Sequence, residues 1–266
     1  MISEVSVKVW GELACFTRPE LKVERLSYPL MTPSAARGVL DAILWKPQMY
    51  WHIRRISVLP PIGRPPDPAR PPYELVSVRR NEISGRISPN IVKGWMSDPA
   101  SFQPYYVDSA GRESAGGANR TQRNTLALRD VAYLICASPV LTAKANQPRT
   151  KTPDEDEPDG PDTTAKYAGM FERRVRKGQC FHRPYLGCRE FACSFGPPDG
   201  TEQPVDWTEP LGLMLYDIHF QLDGQHLPGF FRADVRQGVL HCDTRDPGPN
   251  GEPPVEVLGW PQEVPQ

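Results

Sequence analysis

No stretch of this 266-residue sequence approaches the ~20 apolar residues that a membrane-spanning helix needs, and Met1-Ile2-Ser3-Glu4-Val5 lacks the basic-then-apolar layout of a signal peptide. A cytoplasmic location with no membrane partner is the expectation. Cysteine is scarce: the six residues show no C-x-x-C spacing, and the gaps between Cys180, Cys188 and Cys193 suit neither a zinc ribbon nor a redox loop. Reduced core thiols are expected instead, Cys180 and Cys188 among them. There is also no phosphate-binding P-loop, no G-x-G-x-x-G after a strand, no H-E-x-x-H and no G-x-S-x-G. The common nucleotide, protease and esterase classes are thereby set aside, and neither a metal nor a cofactor is expected.

What is present is an ordinary globular balance, 39% hydrophobic and 24% charged, in a length that suits one large domain or two ordinary ones. Proline is the outlier, with 31 residues, and it excludes long coiled coils and helical solenoids. The net charge of −1 conceals a division: residues 153–162 carry six acids and no base, and setting those six aside leaves +5 on the remainder. Bases cluster at 170–190, where Arg173, Arg174, Arg176, Lys177, Arg183 and Arg189 face only two acids.

Along the chain, alternating valines at 4–10 predict a strand with one face on a core. Thr32-Pro33-Ser34 supplies an N-cap and a first-turn proline for a helix whose face is Ala36, Val39, Leu40 and Ile43, ending by Pro47. A strand is predicted over 51–59, then a proline-rich insertion at 60–72. Another strand at 73–80 should turn at Ser84-Gly85 into a basic hairpin. Residues 95–120 are expected to be an irregular loop and 126–137 a central strand. Residues 144–164 contain no aromatic or branched aliphatic side chain, which predicts a mobile acidic loop. A helix with Tyr167, Met170, Phe171 and Val175 on one stripe should stop at Gly178, and a strand should follow near 191–195. This order predicts an α+β fold: a ferredoxin-like βαββαβ unit with an inserted β-hairpin over 1–195. Residues 196–266 should form a small C-terminal antiparallel β-sheet with a proline-rich tail.

Arginines beside exposed aromatics are the remaining chemistry: Arg79-Arg80, Arg86, Arg120, Arg123, Arg173, Arg174, Arg176, Lys177, and Phe181-His182-Arg183-Pro184-Tyr185. Guanidinium pairs with phosphate and aromatic faces stack on unpaired bases, so single-stranded RNA is the partner class such a scaffold suits.

The segments Thr32 to Gly38, Trp45-Lys46-Pro47, Arg79-Arg80-Asn81-Glu82 and Gln122 to Leu126 resemble the Cas-five family of subtype I-C (Dvulg) CRISPR systems, of the RAMP type. The segment Arg176 to Phe191 carries the resemblance furthest, and the likeness spares only the proline insertion, the acidic loop and the tail. It implies an endoribonuclease that cuts precursor CRISPR RNA in its repeat and stays bound in an interference complex with other type I-C Cas subunits. The chemistry it implies is metal-independent: the ribose 2′-hydroxyl attacks the adjacent phosphate, leaving a 2′,3′-cyclic phosphate and a 5′-hydroxyl. Relatives use a Tyr, Lys and His for this. The tyrosine position, just before Trp-Lys-Pro, is Leu44 here, and alignment on the Gln122 motif puts Arg123-Asn124 where the Lys-His pair would fall. Lys46 and Arg123 can supply charge, and Tyr50 can stand in for the missing phenol. His182 suits a structural or RNA-contacting role. The alternative is a non-catalytic subunit that caps the 5′ handle of CRISPR RNA or touches duplex DNA.

Overall fold

A computed structural model describes residues 3–21, 23–63, 67, 71–83, 87–102, 120–147, 160–220 and 226–260. The valine alternation becomes β1 (Val5–Ala14), where Val5, Val7 and Val9 are buried and Ser6, Lys8 and Trp10 are half-exposed on the opposite face. After the two-residue β2 (Arg25–Leu26), Thr32 caps α1 (Pro33–Ile43) by accepting from the Ala35 amide at 3.2 Å. The helix buries Ala36, Val39, Leu40 and Ile43 against β3 (Met49–Val58).

β4 (Leu75–Ile83) confirms the next strand, but its pairing departs from expectation. Its partner is the N-terminal half of β5 (Arg120–Leu141), with Arg79 opposite Asn124 and Arg80 opposite Arg123. The turn expected at Ser84-Gly85 and the side chains of Arg86 and Arg120 lie outside the described residues. The region expected to be loop from 95 opens instead inside α2 (Pro89–Ser97), which a 3-10 turn at Pro99–Ser101 follows. Ser88-Pro89 provides the same cap-plus-proline start as Thr32-Pro33. β5 is far longer than predicted because it serves two sets of partners in turn: β4 and β2 within 120–128, then β1 and β3 along 128–141. Pro139 is tolerated there. It faces Trp51 in a pair that needs no amide from it, since Thr142 N–H donates to Gln48 O and the bonded pairs therefore fall on even β3 residues.

α3 (Thr164–Lys177) ends where expected, at Gly178 in the left-handed conformation (φ 65°), whose amide bonds back to Arg174 O and Val175 O. It packs on β1 and β5 beside α1, and Phe171 meets Trp51 at 4.7 Å between ring centroids. β6 (Ser194–Gly196) then pairs with β1. The C-terminal strands β7 (Glu209–Phe220), β8 (His226–Arg236) and β9 (Val239–His241) form an antiparallel set whose last member hydrogen-bonds to β3. One sheet results, in the order β6-β1-β5-β3-β9-β8-β7, antiparallel except where β2 meets β5. The fold is α+β and rich in sheet. The proline-rich tail is packed as far as Trp260, whose indole N–H donates to Leu227 O and which leaves no room for a Cβ at Gly229.

The acidic loop needs a correction. Residues 148–159 are outside the described residues, but Asp162, one of the six acids, is buried. It accepts from the Asn146 amide at 3.0 Å and from Tyr167 Oη at 2.6 Å, and lies 3.5 Å from Lys166 Nζ. An acid with that many buried donors anchors the start of α3. Asp162→Ala is therefore expected to cost about 2 kcal/mol, because the Tyr167 hydroxyl and the Asn146 amide lose their acceptor. Deleting 153–159 should leave the melting temperature nearly unchanged, since loop closure depends weakly on length. Parallel thermal melts check both; an unshifted Asp162→Ala midpoint would remove the anchor role.

Candidate nucleic-acid interface

The last carbonyls of a helix have no partner within it. In α1 the last three are taken from outside: Ala42 O accepts from the amides of Phe181 (2.8 Å) and His182 (3.3 Å), Ile43 O from an Arg174 guanidinium nitrogen (2.8 Å), and Leu44 O from Trp51 Nε1 (2.9 Å). This capping docks the segment after α3 onto the end of α1 and settles where the predicted RNA-contacting residues sit. Arg174 is engaged as a cap, whereas Arg176, Lys177, His182 and Arg183 are exposed. Phe181 is 84% exposed and Trp45, next along from the helix end, is 59% exposed. Large aromatics left in solvent beside four basic or imidazole side chains form a surface suited to stacking unpaired bases. Trp45 belongs to the Trp45-Lys46-Pro47 segment, of which the sequence singles out only Lys46; its exposure is what marks it.

The same segment continues to the other basic zone. Leu186 O accepts from the Cys15 amide, Cys188 Sγ donates to Cys15 O at 3.5 Å, and Glu190 pairs with Arg25. Tyr185 is half-exposed along the way. Arg25 and Arg80 both bear electrostatically on the Cys188 thiol, and the largest influence lowering it below the ordinary value is the hydrogen bond from the Cys15 side chain. Cys188 is buried as expected, but Cys180 is exposed, which corrects its assignment to the core: it follows the helix stop at Gly178, in the loop that leads out to Phe181.

The four residues expected to carry catalysis are not brought together. Tyr50 is the second residue of β3, opposite Val140 and close in sequence to Lys46, whose carbonyl accepts from the Met49 amide. Arg123 and Asn124 are 17 and 16 residues back along β5 from Val140, on the order of 50 Å of strand at ~3.3 Å per residue. They belong to the β4–β5 arm with Arg79 and Arg80. Leu44 is fully buried, so the family's tyrosine position points into the core in this chain.

Tyr50 has a different setting from the one sequence suggests. Its hydroxyl accepts from Arg245 at 2.7 Å, and it lines a cavity of about 680 Å³ between β3, α1 and β7. His52, two residues on and therefore on the same strand face, lines the same cavity. His52 Nε2 lies 2.9 Å from buried Asp243 Oδ1, which also accepts the amides of Arg245 and Asp246, while Arg54 Nε is 3.2 Å from Oδ2. Burial opposes ionisation of Asp243, yet the bonds from His52 and the two amides hold its carboxyl below the usual value. Burial outweighs Asp243 at His52 and keeps the imidazole below its ordinary value, hence neutral at pH 7. An ionised carboxylate only accepts, so the His52 proton is on Nε2 and Nδ1 is the basic nitrogen. No local motif marks this pair: the partners are 191 residues apart.

Residues 5–243 match the family described as CRISPR-associated protein (Cas_Cas5). The chain belongs to that family. It is 38% identical to the CRISPR pre-crRNA endoribonuclease Cas5d of Thermus thermophilus over 90% of this chain and 91% of that one. With the CRISPR pre-crRNA endoribonuclease Cas5d of Mannheimia succiniciproducens the identity is 39%, over 90% and 95%. A solved crystal structure of a CRISPR-associated protein superimposes with a TM-score of 0.53 at 19% identity, covering 90% of each chain, and supports the fold. Among the described residues no helix is long and apolar enough to cross a membrane.

Proposed function

We infer that this chain is an endoribonuclease for precursor CRISPR RNA, cutting in the repeat by metal-independent attack of the 2′-hydroxyl and remaining as a subunit of a type I-C interference complex. The observation that carries this is the 38–39% identity, over nine-tenths of the chain, with two pre-crRNA endoribonucleases. The order β6-β1-β5-β3, with α1 and α3 on one face, supports a ferredoxin-like unit over 1–195, with 196–266 as the appended β unit. A cytoplasmic location belongs to the same proposal.

In this reading, RNA lies over the exposed Trp45, Phe181 and His182 and along Tyr185 towards the Arg79, Arg80 and Arg123 arm. The reacting phosphate sits by Lys46 and Tyr50. Lys46 offers charge to the extra phosphate negative charge, and Tyr50, its oxygen already accepting from Arg245, has its own proton to donate to the leaving 5′-oxygen. Neutral His52, held by Asp243, is the candidate base for the 2′-hydroxyl. The burial of Leu44 favours one competitor, a non-catalytic 5′-handle or duplex DNA binding subunit. Incubating the chain with end-labelled repeat RNA decides between them: a single cut in the repeat supports the nuclease, and tight binding without cleavage supports the binding subunit.

The geometry also predicts how affinity divides. Replacing Arg176 and Lys177 with alanine should reduce the log–log salt slope of RNA binding by about 1.4, at about 0.7 per phosphate contact on a single strand. Filter binding across a salt series measures it, and an unchanged slope would make these residues a solvated face serving only the negative end of α3.

A further inference from the structure

Along β3 the backbone groups of Tyr50 and His52 bond to β5, and β9 with its flanking residues Gly238 and Cys242 covers the opposite edge only from Arg54 to Val58. The N–H and C=O of Trp51 and Ile53 therefore point away from β5, and among the described residues no strand pairs with them. What lies on that side is the cavity of about 680 Å³, whose far wall is β7 from Tyr216 to Phe220. Backbone donors and acceptors along such an edge need a partner, from water or from a ligand. The walls are also unusual in kind. Tyr50, His219, Phe220 and Trp260 surround the space, with Phe220 64% exposed at its margin. Arg37, fixed by two bonds of 2.7 and 2.8 Å to Asp217, adds a rigid polar corner.

We propose that this cavity is a pocket for one unstacked nucleobase of the RNA, read on its hydrogen-bonding edge by the backbone of Trp51 and Ile53 and stacked by the surrounding aromatic side chains. The pocket rests on the RNA-cleavage reading above and deepens it. The volume exceeds what a single base fills and lies within the range of small-molecule sites. An alternating donor and acceptor on a strand edge matches the alternating groups on the edge of a base, and unpaired bases are what single-stranded RNA presents. The position is consistent with the chemistry: a base held here has its ribose and phosphate within the region of Tyr50 and Lys46. An inserted peptide strand would also bond to the edge, but the ring of aromatic side chains and the Arg245–Tyr50 contact at the mouth favour a base.

The test uses repeat RNAs carrying one abasic nucleotide, moved position by position, with binding measured to the parent chain and to Ala143→Trp. Ala143 is exposed at the cavity rim, so an indole there obstructs the entrance without entering the core. The parent should show one position where base removal weakens binding about tenfold to a hundredfold, the scale of one lost stacked base. In Ala143→Trp, intact RNA should bind as weakly as that abasic RNA binds the parent, and the penalty at that position should vanish. Phe220→Ala should reduce the same penalty. A uniform profile in the parent overturns the pocket, as does an undiminished penalty in folded Ala143→Trp, which would leave the slot to a peptide strand. Failure of the parent to bind or cut intact repeat RNA would instead overturn the underlying RNA reading.

Discussion

Tyr50→Phe is expected to slow single-turnover cleavage of repeat RNA about 100-fold while leaving its dissociation constant within about threefold, the pattern of a group whose interaction matters in the transition state. His52→Gln should lose a similar factor, because an amide fills much of the space but takes no proton. Arg123→Ala should show the opposite division: weaker binding with cleavage of saturated complex unchanged. The reason is the register of β5, which puts Tyr50 opposite Val140 and Arg123 opposite Arg80 at the far end of the same strand. Restoring the family residue with Leu44→Tyr should not rescue a Tyr50 variant. Leu44 is fully buried, and the larger ring overpacks the core instead of reaching RNA, at a cost of about 1–3 kcal/mol. Rapid-quench kinetics alongside equilibrium binding separates these effects. Equal losses of rate in Tyr50→Phe and Arg123→Ala would mean that both approach the scissile phosphate, contrary to the strand geometry.

The largest effect on stability should come from a residue that carries no charge. Gly187 has φ +83°, and a Cβ there would stand 2.0 Å from Cys15 O and 3.1 Å from the Phe16 ring. Both the backbone conformation and the space exclude a side chain, and the obstacle is backbone in a strand connection that cannot rotate away. Gly187→Ala is expected to cost about 4 kcal/mol, a fall of roughly 10 °C in Tm for a chain of this size. RNA affinity should fall with it, because the same loop links Phe181 and His182 to the Arg25–Glu190 pair. Gly178→Ala, also at positive φ but with nothing within 4 Å of the added carbon, should cost only about 1 kcal/mol. Comparable melts for the two variants would show that the Cys15 contact is not tight.

The contrast between the two helix starts shows how far local sequence reaches. Thr32-Pro33 precedes an obvious apolar stripe and announces α1, while Ser88-Pro89 carries the same cap ahead of a helix with no buried residue. Periodicity reports burial, so a helix that buries nothing gives only its cap as a signal. The strands were legible as strands, but pairing was not: Ser84-Gly85 suggests a local turn, and β4 takes a partner that begins at residue 120. The site residues drawn from the family alignment meet the same limit. Arg123 and Asn124 look like neighbours of the Trp45-Lys46-Pro47 segment only until β5 is seen to carry them away from it. The groups around Tyr50 were illegible for a related reason, since Arg245 and Asp243 arrive from 195 and 191 residues along the chain. Asp162 shows the reverse error, in which a composition-based reading of an acidic run concealed one buried, fully bonded member.

The central claim is that this chain cuts repeat RNA with the RNA's own 2′-hydroxyl as nucleophile. The most direct measurement uses two synthetic repeat RNAs that differ by one oxygen, the 2′-hydroxyl of the nucleotide 5′ to the cut, each incubated with the chain in EDTA. The account predicts that the all-ribose RNA is cleaved to a 2′,3′-cyclic phosphate and a 5′-hydroxyl, while the 2′-deoxy RNA binds with similar affinity and stays intact. Cleavage of the 2′-deoxy RNA, or cleavage of either only when Mg²⁺ is supplied, would contradict it.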